Sequence, residues 1–109
     1  MKVVKRRYLA VSIDSQEAVC SRDFIDAVWA SVSRLFGEYG ASQAGLSLID
    51  YDEARKLAIV RTGHKTLDMV RTALASVTQI GKKPAALHVL AVSGTIKALH
   101  KRLEERLVS

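Results

Sequence analysis

Apolar and polar residues alternate over residues 7–14, which predicts a β-strand with one face on a core. The spacing then changes, because apolar residues recur at three- and four-residue steps over residues 21–36. This period predicts an amphipathic helix with Ser21 as its capping residue. Gly37 and Gly40 are predicted to end that helix and to turn the chain.

The same patterns predict the remaining elements. In chain order these are a strand over 42–50, a hairpin loop over 51–55, a strand over 56–62, a helix over 65–79 that Gly81 ends, a strand over 85–92 and a helix over 96–107.

The predicted order is therefore β-α-β-β-α-β followed by one more helix. This order predicts an α+β fold, the ferredoxin-like split βαβ sandwich that RNA-recognition-motif (RRM) proteins also have, with an antiparallel sheet and two helices on one face. The added C-terminal helix has an apolar stripe that must pack on something, either the open face of the sheet or a partner protein. With 109 residues, we expect one domain that spans residues 1–109.

Composition narrows the class of protein. Cys20 is the only cysteine, which excludes an intrachain disulfide and a cysteine-based zinc site. No apolar run approaches the length that crosses a membrane, and the first residues lack the apolar core of a signal peptide. We therefore expect a soluble, cytoplasmic protein with no membrane partner.

Positive charge is concentrated at the two ends of the chain. The net charge is +6, and residues 1–8 carry four basic residues and no acid. Residues 82–109 carry six basic residues against two acids, so the middle of the chain is slightly acidic. If the first and last strands are neighbours, the two basic groups merge into a surface able to follow a phosphate backbone. The alternative is that basic ends only keep the protein soluble.

The most informative segment joins the last strand to the last helix through Ser93-Gly94-Thr95. Backbone N–H groups at a helix start have no partner within the helix, so a turn of small residues there can hold a phosphate. Gly94 lets the backbone approach an anion closely, and Lys97 adds a positive charge one turn into the helix. The alternative is that Ser93 or Thr95 simply caps the helix.

RNA recognition on the sheet surface needs aromatic residues on the central strands, and residues 56–61 have none while the first strand offers only Tyr8. Phosphate and shape recognition remain. For Arg61, an ion pair with Asp68 is an equal alternative to a phosphate contact. The predicted RNA-binding residues are Arg6, Arg7, Arg61, Lys65, Lys82, Lys83, Ser93, Gly94, Thr95, Lys97 and Lys101.

Catalysis by the chain itself is not indicated. No pair of histidines has the spacing of a metal-bound hydrolytic centre, and Cys20 has no histidine near it in sequence. We therefore predict neither catalytic residues nor a metal site in the protein.

Five short segments carry a resemblance to a known family. They are Arg7-Tyr8-Leu9, Gly37-Glu-Tyr-Gly40-Ala41, Ile59-Val60-Arg61, Ala73-Leu74 and Val92-Ser-Gly-Thr-Ile-Lys97. In order and spacing they resemble archaeal ribonuclease P protein component 2, whose eukaryotic relatives serve ribonuclease P and the related MRP ribonuclease.

The resemblance implies a function that composition does not indicate. In that family the RNA subunit carries out the metal-dependent cleavage that removes the 5′ leader of precursor tRNA, and the protein supports the catalytic region of the RNA. It implies a pair with ribonuclease P protein component 3, typically as a dimer of heterodimers, and only indirect contact with precursor tRNA. It implies no cofactor on the protein, since magnesium is expected on the RNA.

Two other classes of function stay open on the residues alone. A regulatory domain of the same βαββαβ fold would bind a small metabolite between subunits. A small free-standing enzyme is the third class, and it lacks a supporting set of residues.

Overall fold

The computed structural model describes residues 5–108, and the side chains of residues 5–105. The strands and helices, in chain order, are β1 (Arg6–Asp14), α1 (Ser21–Gln43), β2 (Ser47–Asp52), β3 (Leu57–Gly63), α2 (Leu67–Ala75), β4 (Gln79–Ile80), β5 (Lys83–Pro84), β6 (Ala86–Ser93) and α3 (Ile96–Val108). A single 3₁₀ turn, His64–Thr66, joins β3 to α2.

Four strands form the main sheet in the order β2-β3-β1-β6, and every neighbouring pair is antiparallel. Strand β3 therefore separates β1 from β2, and β1 separates β3 from β6. Helices α1 and α2 each cross between two strands that are not neighbours, which is the split βαβ arrangement. The predicted ferredoxin-like fold is confirmed.

The larger core lies between the sheet and the helices α1 and α2. The alternation along β1 directs Leu9, Val11 and Ile13 to this side, where all three are buried. Phe24 and Val28 of α1 are fully buried in the same cluster. Most of the apolar stripe of α1 and of α2 is thus removed from water against one sheet face, as its period predicts, whereas Leu35 and Phe36 near the end of the α1 stripe stay exposed.

Helix α3 covers part of the opposite face of the sheet. Leu99 and Leu103 are buried against Ala10 of β1 and Ile59 of β3. Tyr8, the one aromatic residue on the central strands, is half-buried against the same cluster. Of the two positions predicted for the last helix, the structure therefore has the sheet face.

Helix α1 extends further than predicted. Gly37 has φ +77°, which breaks the helical geometry at the predicted position, but residues 38–43 form a further helical turn after it. The prediction of strand from residue 42 is wrong, because Ala41 and Ala44 pack into the core from this turn. Ser21 is also not the cap: Cys20 occupies that position without a side-chain hydrogen bond.

The segment after α2 also differs from the prediction. The helix ends at Ala75, whereas Gln79–Ile80 and Lys83–Pro84 pair as a small antiparallel hairpin. Gly81 has φ +63° at the first position of its two-residue turn, a conformation that favours glycine. Gly81 therefore turns a hairpin and does not end a helix.

The packing of α3 predicts the effect of a cavity beneath it. Leu99→Ala should lower the free energy of unfolding by about 2 to 5 kcal/mol, because a fully buried leucine leaves a void. Ile96→Ala on the same helix is the control, with a smaller loss expected because Ile96 is 36% exposed. Urea unfolding of the isolated chain measures both. Equal, small effects of the two substitutions would contradict the position of α3 on the sheet.

Candidate nucleic-acid interface

The strand pairing brings three separate parts of the chain to one end of the sheet. Arg6 lies opposite Gly63, and Arg7 lies opposite Thr62. On its other side β1 pairs Tyr8 with Ser93, so the turn into α3 is at the same end. The first and last strands of the sheet are therefore neighbours, which was the condition for the two basic groups of the sequence to merge. We call this region the basic end; it comprises Arg6, Arg7, Arg61, Lys65, Ser93, Gly94, Thr95, Lys97 and Lys101.

The Ser93-Gly94-Thr95 turn caps α3. The Ala98 N–H donates to the Thr95 hydroxyl at 3.1 Å, and the Thr95 N–H donates to the Ser93 hydroxyl at 3.4 Å. Capping by Thr95, one of the two alternatives, is therefore present. Within the described chain, the N–H groups of Ile96 and Lys97 have no hydrogen-bond partner. Because these two donors are available to an anion, a phosphate site at the turn stays a prediction.

Arg7 reaches this turn from β1. A Cβ atom added at Gly94 would lie 3.4 Å from Arg7 Nη1, which also donates to the Arg6 carbonyl at 3.1 Å. The glycine thus leaves room for the guanidinium beside the turn. Arg7, from the basic start of the sequence, therefore lies beside the turn that precedes Lys97.

Arg102 also contacts this region, although the sequence did not single it out. Its Nη1 donates to the carbonyl of Val92, the residue before the turn. A helical side chain points back towards the N-terminus of its helix, so residue 102 can reach the strand that precedes α3. This spacing relative to the turn is the signal that could have identified it.

Hydrogen bonds from two threonine side chains fix the backbone that carries Arg61 and Lys65. The Thr62 and Thr66 hydroxyls both donate to the Ala44 carbonyl, at 2.6 and 3.1 Å. These hydrogen bonds fix the 3₁₀ turn that carries the exposed Lys65. Arg61, half-buried on β3, makes no ion pair with Asp68, so that alternative is wrong.

Lys82 and Lys83 lie at the opposite end of the sheet. They belong to the β4–β5 hairpin, just before β6 begins, and the eight residues of β6 span about 23 Å. Lys83 Nζ lies 3.8 Å from a Glu17 carboxylate oxygen and 3.4 Å from the Ala18 carbonyl. The structure therefore does not bring these two predicted residues together with the basic end.

The balance of charge differs between the two ends. The ion pairs among the described side chains are Arg55 with Asp52, in the β2–β3 hairpin, and Lys83 with Glu17. Both lie away from the basic end, whose arginines and lysines have no acidic partner among those side chains. This end of the protein therefore presents uncompensated positive charge.

Other chemistry has little support in the part of the chain that the structure describes. No three metal-ligating side chains from residues 5–105 gather in one place. No described helix has the length and apolar character needed to cross a membrane. Burial raises the pKa of Tyr51, with a further contribution from Glu53, but this ring packs beside the core and its hydroxyl donates to the Val19 carbonyl.

Comparisons with known proteins identify the family and the relatives of this chain. The model of the Rpp14/Pop5 family matches residues 7–104. Ribonuclease P protein component 2 of Methanosarcina mazei is 34% identical over 102 residues, which cover 93% of this chain and 86% of that protein. The protein of the same name from Pyrococcus furiosus is 33% identical, with 90% of this chain and 82% of that protein covered.

A solved structure has the same fold. A chain in the cryo-EM structure of yeast Ribonuclease MRP superposes with a TM-score of 0.72 at 18% identity, over 97% of this chain and 94% of that chain.

The capping hydrogen bond predicts a specific loss of stability. Thr95→Ala should lower the free energy of unfolding by about 1 kcal/mol, because the Ala98 N–H loses its acceptor. Thr95→Ser keeps a hydroxyl and should retain most of that stability. Urea unfolding measures both variants, and an alanine variant as stable as the serine variant would contradict the cap.

Proposed function

Since the chain belongs to the Rpp14/Pop5 family, we propose that it is a non-catalytic, RNA-binding protein subunit of ribonuclease P. In this role it supports the catalytic RNA that cleaves the 5′ leader from precursor tRNA. The observation that carries the proposal is the basic end, where the cations of three chain segments lie together without acidic partners among the described side chains.

The basic end suits contact with the backbone of RNA. Lysine and arginine side chains that neutralise phosphates release condensed counterions, and this release drives binding regardless of sequence. Where RNA helices crowd together, such contacts lower the concentration of magnesium that the active RNA fold requires. The RNA, not the protein, would hold that magnesium and carry the chemistry.

The proposal includes a protein partner. The relatives are named as numbered components of ribonuclease P, which supports membership of a multi-subunit ribonucleoprotein. We propose ribonuclease P protein component 3 as the direct partner, in a heterodimer that itself pairs into a dimer of heterodimers. Precursor tRNA would then be contacted only through the assembled complex.

The two ends of the sheet offer a matched test of the RNA contact. Lys97→Ala with Lys101→Ala removes two exposed lysines from the basic end, and Lys82→Ala with Lys83→Ala removes two from the opposite end. For the first double variant we expect weaker binding to the ribonuclease P RNA. The slope of log affinity against log salt should fall by about 1.4 to 1.8, because two phosphate contacts are lost.

The second double variant should change that slope less, since Lys83 already contacts Glu17. Binding isotherms at several salt concentrations measure both. A larger loss of slope in the Lys82 and Lys83 variant would move the interface to the opposite end. An unchanged slope in both variants would contradict RNA binding through these lysines.

The proposed role predicts an effect on the magnesium requirement of the complete enzyme. Cognate ribonuclease P RNA with component 3 should cleave precursor tRNA at lower magnesium when this chain is added. Gel analysis of cleavage at the mature 5′ end measures the shift. No shift, although component 3 binds the chain, would contradict the proposed support of the RNA and leave a protein-interaction role.

A further inference from the structure

Two aromatic rings are exposed among the six aromatic residues of the chain, and both lie at one place in the fold. Tyr39 is 79% exposed and Phe36 is 39% exposed, whereas the other four aromatic residues are buried or half-buried. Both residues belong to the last part of α1, on either side of the Gly37 break. Within the described chain, the Tyr39 hydroxyl has no hydrogen-bond partner.

Glycines shape the backbone that presents Tyr39. The positive φ of Gly37 turns residues 38–43 away from the first part of the helix, and a Cβ at Gly37 would meet nothing within 4 Å. At Gly40 a Cβ would lie 2.8 Å from the Cβ of Phe36, so only glycine permits this close approach. The ring of Tyr39 is therefore held outside the core by the path of the backbone.

This part of α1 lies at the basic end. Residues 38–43 lead into Ala44, whose carbonyl accepts hydrogen bonds from the side chains of Thr62 and Thr66. Lys65 stands on the turn between those two threonines and is exposed. An exposed ring and an unpaired lysine thus flank the same hydrogen-bonded junction.

Three exposed apolar side chains, Leu35, Phe36 and Tyr39, make a small surface. A standard protein interface buries about 800 Å² on each partner, far more than three side chains supply. One nucleic-acid base needs only the face of one ring, and its phosphates need cations nearby. The small size of this surface and the positive charge near it therefore favour an RNA base over a protein as its binding partner.

We propose that Tyr39 is a stacking platform for an unpaired RNA base, whose flanking phosphates contact the cations of the basic end. This inference rests on the proposed function and extends it, because it adds recognition of single-stranded RNA to recognition of phosphates. It places the aromatic contact on a helix end, since α3 covers part of the sheet surface and half-buries Tyr8.

Three substitutions at Tyr39 separate stacking from apolar packing. Tyr39→Phe keeps the ring, Tyr39→Leu keeps an apolar side chain without a π face, and Tyr39→Ala removes both. The probes are an oligoadenylate of about 12 nucleotides and a blunt RNA duplex of the same length. Thermal unfolding confirms that each variant is folded, which the exposure of Tyr39 leads us to expect.

Stacking predicts that the leucine and alanine variants bind the oligoadenylate about fivefold more weakly while the phenylalanine variant is unchanged. Duplex affinity should be unchanged in all three variants. Photocrosslinking of 5-iodouridine RNA to the unmodified chain, read by mass spectrometry, should identify Tyr39 as a crosslinked residue.

Retained single-strand affinity in the leucine variant would overturn the stacking proposal. Weaker binding of component 3 by the Tyr39 variants, with RNA affinity unchanged, would also overturn it and assign the surface to the protein partner. The stacking inference and the proposed function can fail independently. If the Lys97 and Lys101 double variant loses RNA affinity and the Tyr39 variants do not, only the stacking inference is contradicted.

Discussion

Strand β1 is hydrogen-bonded on both sides, antiparallel to β3 and antiparallel to β6. This central position decides which residues meet at the basic end, because the start of β1 lies beside the ends of both neighbours. The register is fixed by the core, since a slip of one residue would move Leu9, Val11 and Ile13 to the other face of the sheet. The register of β1 therefore fixes both the packing of the core and the position of the cations.

The uncompensated charge at the basic end has a physical consequence for the free protein. At physiological salt the Debye length is about 8 Å, so neighbouring cations still repel one another and oppose folding slightly. The opposite end, by contrast, has ion pairs in which Asp52 and Glu17 offset Arg55 and Lys83. Binding of a polyanion relieves the repulsion at the basic end, so RNA should favour the folded chain over the unfolded one.

The sequence was sufficient to predict the fold, and the fold brings most of the predicted RNA-binding residues to one end of the sheet. Period-2 and period-3.6 patterns predicted the order of the elements, and the split βαβ topology then places the first and last strands side by side. The patterns did not predict the helical turn after Gly37, where buried Ala41 and Ala44 override the glycine signals, or the hairpin around Gly81. The helical turn depends on core contacts between distant segments, which local periodicity does not contain. The hairpin pairs strands of only two residues, which are too short to show a period.

The three-dimensional arrangement also explains why the predicted RNA-binding residues do not all share one surface. Lys82 and Lys83 are close in sequence to β6, but they precede it, whereas the basic end follows it. Arg102 lies in the second turn of α3, and its guanidinium contacts Val92 because a helical side chain points back towards the start of its helix. Charge counted along the chain therefore selected basic residues, and strand direction decides which of them share a surface.

Helix α3 links the stability of the fold to the geometry of the basic end. Its apolar residues Leu99 and Leu103 cover a sheet face that would otherwise be open, and its first turns carry Lys97 and Lys101. The Thr95 cap and the Arg102 contact hold the start of this helix at the end of β6. The packing of α3 half-buries Tyr8, and the proposed nucleic-acid contact lies instead at the end of the sheet. Any change that loosens α3 must therefore displace cations as well as expose core.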